Sequence, residues 1–179
     1  MANTILDPTG GRRAVSEGAA VLTPRRARLA GATVGLLSNT KQNAALFLDE
    51  LGKLLQERYG VEAVRPSVKT AFALPLPEEQ LSELAETCDA VITGVGDCGS
   101  CSASAVADGV ALERRGIPAA VICSDAFVVT ADAMADLRGA KGYHYAKTAH
   151  PVAVLNPDEV RKRAEEVLPE IVAILTEAS

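Results

Sequence analysis

Asp89 to Ser102, DAVITGVGDCGSCS, is the stretch that most constrains what this chain can fold into. An apolar β-type run (Ala90, Val91, Ile92) breaks at Gly94 and Gly96, reaches two cysteines spaced C-x-x-C, and continues into residues that read as a helix. A strand, a tight turn and a helix in that order form half of a β-α-β unit, which belongs in a parallel sheet.

The rest of the chain repeats the alternation. A strand over Thr33 to Leu37 ends in the polar turn Ser38 to Asn43, and a helix from about Asn43 to Tyr59 presents Phe47, Leu48, Leu51, Leu54 and Leu55 on one face and stops at Gly60. Val61 to Val68 reads as a second strand. Pro77 with Glu78 and Glu79 starts a second helix, since proline is preset for a first turn and acids suit the positive end of the dipole. After the central strand, a third helix spans about Ser100 to Arg115, with Gly116 as its cap and Ile117 to Cys123 as the next strand. Val128 to Leu137 reads as helical and Tyr143 to Lys147 as a short strand. Pro157 opens a last amphipathic helix, which Pro169 is expected to kink. The pattern predicts an α/β, flavodoxin-like doubly wound, mostly parallel five-stranded sheet with helices on both faces. Residues 1–31 lack a sustained period and carry five arginines, so the expected division is an N-terminal arm, 1–31, and a single α/β domain, 32–179. The arm is either a docking segment for a partner subunit or a solvated terminus.

At 179 residues the chain can bury a core. Aromatics make up 3% with no Trp, and the net charge is −5, which together argue against a nucleic-acid surface. No apolar run is long enough to span a bilayer and no signal peptide is evident, so a cytoplasmic location is expected. Four cysteines in a chain of this size do not make a disulfide scaffold.

In such sheets ligands bind beyond the carboxyl ends of the strands. That places Asn39 and Lys41, Lys69, Cys98 and Cys101, Ser124 and His150 on one rim. A thiol at a helix N-terminus lies near unpaired N–H groups that favour thiolate. Cys98, first in the loop, is assigned as nucleophile and Cys101 as its resolving or supporting partner. His150 is a candidate general acid or base, and Asp97 is expected either to orient the loop or to handle a proton. Gly96 and Gly99 are expected to let backbone N–H groups face an anionic substrate, with Asn39, Lys41, Lys69 and Ser124 as further binding residues. Their spacing is neither that of a dinucleotide fingerprint nor that of a phosphate loop, and no cofactor is expected. A zinc site would need Cys123, His150 or Asp97 to complete it, and no metal is expected. Cys123 faces the same rim at a strand end, His144 is read as structural, and Asp108 as part of a solvated helix face.

Gly96-Asp97-Cys98-Gly99-Ser100-Cys101 resembles the signature of the UGSC family, in which the first motif position is selenocysteine in some members and cysteine in others. DPTG (Asp7 to Gly10), SNTKQNA (Ser38 to Ala44), Lys69, GIP (Gly116 to Pro118) and the His150-Pro151 pair extend the likeness over nearly the whole chain. The strand-turn-CxxC-helix followed by GIP is more distantly similar to the selenocysteine-bearing subunit of glycine, sarcosine and betaine reductases. That likeness implies a selenolate or thiolate attacking a substrate carbon, with the neighbouring cysteine resolving the adduct.

The expected function is that of a thiol-dependent enzyme or catalytic subunit, using Cys98 with Cys101 as a covalent or redox nucleophile on a small, anionic substrate in reductive or group-transfer chemistry. Two rivals are a cofactor-free racemase or isomerase using Cys98 and Cys123, and a non-catalytic subunit of a heteromeric complex. A homo-oligomer, or a hetero-oligomer with a paralogous subunit, is expected, with no nucleic-acid or membrane partner.

Overall fold

The structure is a computed structural model and describes residues 23–176. Five strands, β1 (Thr33–Ser38), β2 (Ala63–Val68), β3 (Ala90–Gly96), β4 (Ala119–Ser124) and β5 (Ala146–Thr148), alternate with helices α1 (Ala44–Tyr59), α2 (Glu78–Thr87), α3 (Gly99–Arg114), α4 (Val128–Leu137) and α5 (Pro157–Thr176). The sheet is parallel throughout, in the order β2-β1-β3-β4-β5. This is the flavodoxin-like doubly wound arrangement, and its strand order reverses between β1 and β3.

Two apolar layers cover the sheet. Phe47, Leu51 and Leu55 of α1 pack with Ile171 and Leu175 of α5 on Ile92 and Ile122. On the other face Val106 and Val110 of α3 meet Val121, Ala131 and Ala135, while Leu81 and Leu84 of α2 meet Leu37 and Val91. Such burial stabilises by about 25 cal/mol for each Å² of apolar surface removed from water. α3 lies so close to β4 that a methyl group at Gly109 would stand 2.3 Å from Val121 Cγ2. α5 runs through Pro169 without interruption.

Four boundaries differ from the sequence reading by two residues or more, the first being β2, which starts at Ala63 rather than Val61. The last strand is Ala146–Thr148 rather than Tyr143 to Lys147, because Tyr143 turns into the α3–α4 layer and its hydroxyl donates to Ala119 O at 3.2 Å. β4 starts at Ala119, two residues later than expected, with Pro118 O already accepting from Val91 N. Residues 23–31, assigned to the arm, pack on the body: Leu29 is in the core, and buried Arg25 pairs with Glu113 at 2.8 Å and donates to Ile174 O. Residues 1–22 of the expected arm lie outside the described residues.

Candidate active site

The GDCGSC turn joins β3 to α3 at the carboxyl edge of the sheet. Cys98 is the N-cap of α3 in extended conformation, and its sulfur accepts from Cys101 N at 3.3 Å. Cys98 is half-buried and Cys101 fully buried, and the two sulfurs are joined in a disulfide with a Cα–Cα distance of 5.2 Å. A cap residue sits where the first helical N–H groups lack intrahelical partners, so this sulfur occupies a position that favours negative charge.

Gly96 is needed for space. A Cβ there would meet Ser102 Oγ at 2.7 Å and Cys123 Sγ at 2.9 Å, so any side chain would push the first turn of α3 off the strand. Its carbonyl accepts from Ser102 Oγ at 3.0 Å and from Ser124 Oγ at 3.2 Å. At Gly99, by contrast, the nearest atom to a Cβ is Thr130 Oγ1 at 3.9 Å, so that position is open.

Asp97 is turned inward, and both its oxygens are occupied. Oδ1 lies 2.9 Å from His150 Nδ1, while Oδ2 accepts from Val152 N and Ala153 N, each at 2.9 Å. The carboxylate therefore orients the ring and holds the turn beyond the cis His150–Pro151 peptide. A carboxylate facing Nδ1 selects the tautomer with its proton there, which leaves Nε2 with a lone pair. Ser124 Oγ lies 3.3 Å from the same nitrogen, His150 N donates to Asp125 Oδ1 at 3.0 Å, and the Phe127 ring meets the imidazole edge-on at 5.4 Å. The His150 side chain is 37% exposed against 4% for Asp97, so the ring is held from behind and open in front.

Several residues expected to bind substrate are committed elsewhere. Asn39 is buried, with Nδ2 donating to Val95 O at 2.9 Å and Oδ1 accepting from Lys41 N, so it braces the end of β3. Ser124 is also internal and braces Gly96 and His150. Lys69 is buried: Nζ donates to Ser104 Oγ at 2.8 Å and is ion-paired with Asp108. Asp108 is accordingly not on a solvated face. Burial pushes its carboxyl up, with Lys69 opposing that shift. Lys41 stays on the rim, its ammonium 4.9 Å from the centroid of the Phe72 ring. Cys123 lies inside the α3–α4 layer, and burial pushes its thiol up to about 12, so it does not serve the rim. His144 is exposed.

What the sequence reading missed are contacts of the backbone: the amides of Val152 and Ala153 on Asp97, and the Gly96 carbonyl as a shared acceptor. No residue type marks a main-chain donor, so only the folded arrangement reveals them. Among the described residues no group of three or more His, Cys, Asp or Glu side chains is placed to hold a metal, and no helix is long and apolar enough to cross a membrane.

The chain matches the UGSC family over residues 4–177, which is nearly its whole length. It belongs to the UGSC family. In this UGSC protein the family motif forms the strand-to-helix corner that carries both cysteines. No curated protein and no solved structure matches the chain.

Proposed function

We propose that this UGSC protein is a thiol-dependent enzyme, or the catalytic subunit of one, in which reduced Cys98 attacks a small anionic substrate. The observation that carries the reading is the pairing of a cysteine N-cap with a histidine oriented by the adjoining residue: Asp97 precedes Cys98 in the chain and holds His150 Nδ1 at 2.9 Å. Lys41 on the rim, and the start of α3 at Gly99 and Ser100, neither of them buried, are suited to a negatively charged ligand.

In the reductive form of this chemistry, His150 Nε2 accepts the Cys98 thiol proton and the thiolate attacks the substrate. The bond to the leaving group breaks with its electron pair, and protonated His150 returns the proton to that group. Cys101 then loses its proton and attacks Cys98 Sγ, forming the Cys98–Cys101 bond and expelling the remaining fragment with the sulfur–substrate electron pair, and the fragment takes up the proton that Cys101 released. Two thiols are oxidised and one substrate bond is reduced, and an external dithiol returns the two electrons. The distant likeness to reductase subunits is in keeping with this sequence of steps. The cytoplasm, where such dithiols are kept reduced, is the proposed location.

The test is limited alkylation of the reduced full chain near neutral pH, read by intact mass and peptide mapping. Rapid single labelling at Cys98, slowed by His150→Gln, is expected. Equal slow labelling of all four cysteines overturns the reading.

A further inference from the structure

We propose that Asn43 is a positioning residue for His150, acting through the turn that follows it; the catalytic meaning of this role rests on the function proposed above, but its structural content does not. The turn is held from two sides. Asp97 takes its N–H groups, those of Val152 and Ala153. Asn43, from the far side of the β1–α1 connection, takes its carbonyls: Nδ2 donates to Val152 O at 2.9 Å and to Leu155 O at 2.8 Å. Val152 is thus bonded through its N–H to one side chain and through its C=O to the other. Removing either partner frees the peptide units next to His150-Pro151 to rotate, and with them the ring that Asp97 holds.

The position demands asparagine for two separate reasons. Asn43 has φ +66°, in the left-handed region, where asparagine is found more readily than most side chains. It must also supply two N–H donors from a short stem, and both hydrogens of the amide are used. Glycine meets the first requirement and not the second; glutamine carries the amide on a stem one methylene too long and is also disfavoured in the left-handed region. Asn43 also opens α1, its carbonyl accepting from Phe47 N at 2.8 Å, so the donor rides on the first turn of a rigid helix.

The experiment uses the reduced full chain and reads the His150 tautomer by long-range proton–nitrogen correlation above the range where imidazole is protonated. The protein has two histidines, and His144→Gln assigns the signals. The wild type is expected to hold its proton on Nδ1. Asn43→Gly, which keeps the left-handed backbone and deletes both donors, is expected to give a mixture of tautomers and to slow Cys98 alkylation about tenfold. Asn43→Asp, which turns a carboxylate on the two carbonyls, is expected to act more strongly.

Asn156→Ala is the control for a merely structural role. Asn156 and Glu159 cap α5 reciprocally, at 3.0 and 2.8 Å, so its loss destabilises the protein at the end of the same turn and leaves both clamp side chains, Asn43 and Asp97, in place. A native tautomer in folded Asn43→Gly, or the same mixture in Asn156→Ala, overturns the inference. If Cys98 alone fails to label selectively while the tautomer responds to Asn43, the positioning stands and the proposed chemistry falls.

Discussion

Asp97 and Asp108 flank the first two turns of α3, and their surroundings are built alike. Each is buried, each accepts a backbone N–H from a loop distant in sequence, and each faces a basic side chain. The difference lies in the partner. Lys69 is as enclosed as Asp108, both side chains 2% exposed, and the polar atoms of the group find their partners inside: Lys69 Nζ bonds Ser104 Oγ and Asp108, Leu76 N bonds Asp108, and Ser104 Oγ bonds Leu74 O. The result is a staple that fixes the β2–α2 loop against α3. His150 has no partner for Nε2 among the described residues and its side chain is 37% exposed, so the same kind of carboxylate there positions a group that can still exchange a proton. Enclosure of the partner, not the presence of a carboxylate pair, separates a structural site from a candidate catalytic one.

The staple offers the largest test of that distinction. Lys69→Met strands Asp108 without its cation and is expected to cost about 3–5 kcal/mol in denaturant unfolding, while Cys98 labelling in the folded fraction stays at the wild-type rate. Adding Asp108→Asn, which keeps an acceptor for Leu76 N, is expected to recover most of the loss. The sign with pH follows from burial. Asp108 already has its carboxyl raised by desolvation, and Lys69→Met removes the opposing influence and raises it further. The variant's deficit should therefore shrink as pH falls and the carboxyl takes up a proton. A deficit that is constant from neutral pH into the carboxylate range would contradict an uncompensated charge as the cause.

Asp97→Asn probes the open site. The amide retains one acceptor for the 152–153 turn but loses the charge that orients His150. Stability should fall by about 1–3 kcal/mol, with a slowing of Cys98 alkylation that exceeds what Lys69→Met produces in its folded fraction. If the two variants slow labelling equally, the contrast between staple and oriented base is wrong.

Cys123 sharpens the comparison between sulfurs. Its thiol is raised from 9.0 to about 12 by burial, so the folded state holds that proton when the unfolded chain has released it. The corresponding stability is present below about pH 9 and is lost as pH rises toward 12. Cys123→Ala should flatten that alkaline limb in unfolding titrations, although the raised Tyr143 and Tyr145 add a slope of the same sign that overlaps it from about pH 10 upward. The smallest effect is expected from Gly99→Ala, within about 0.5 kcal/mol, whereas Gly96→Ala, crowded by Ser102 and Cys123, should cost about 1–3 kcal/mol. Equal costs by thermal unfolding would show that the turn does not need the close approach at Gly96.

Much of the architecture was legible because it rests on local rules. The apolar period of Phe47, Leu51 and Leu55, the stop at Gly60 with φ +67°, and the proline start of α2 are properties of neighbours in the chain, and α1, α2 and α4 fall within a residue or two of expectation. The short edge strand was placed too early because Tyr143 and Tyr145 have strand-forming side chains, yet their burial between α3 and α4 outweighs pairing. At the site, Cys98, Cys101 and His150 could be singled out by residue type and by their position after strands. Asn39, Lys69 and Ser124 have the same polar character and the same position, and nothing local distinguishes a side chain facing the rim from one bonded beneath it.

The sequence by itself determined the alternation of strands and helices, the parallel sheet that follows from it, and the placing of two cysteines at a strand-to-helix corner. Those features come from periodicity and turn chemistry over a few residues. Tertiary structure decided which polar groups remain available. Lys69 meets Asp108 across 39 residues and Asp97 meets His150 across 53, and hydrogen bonds over such separations form only once the packed layers bring their partners together.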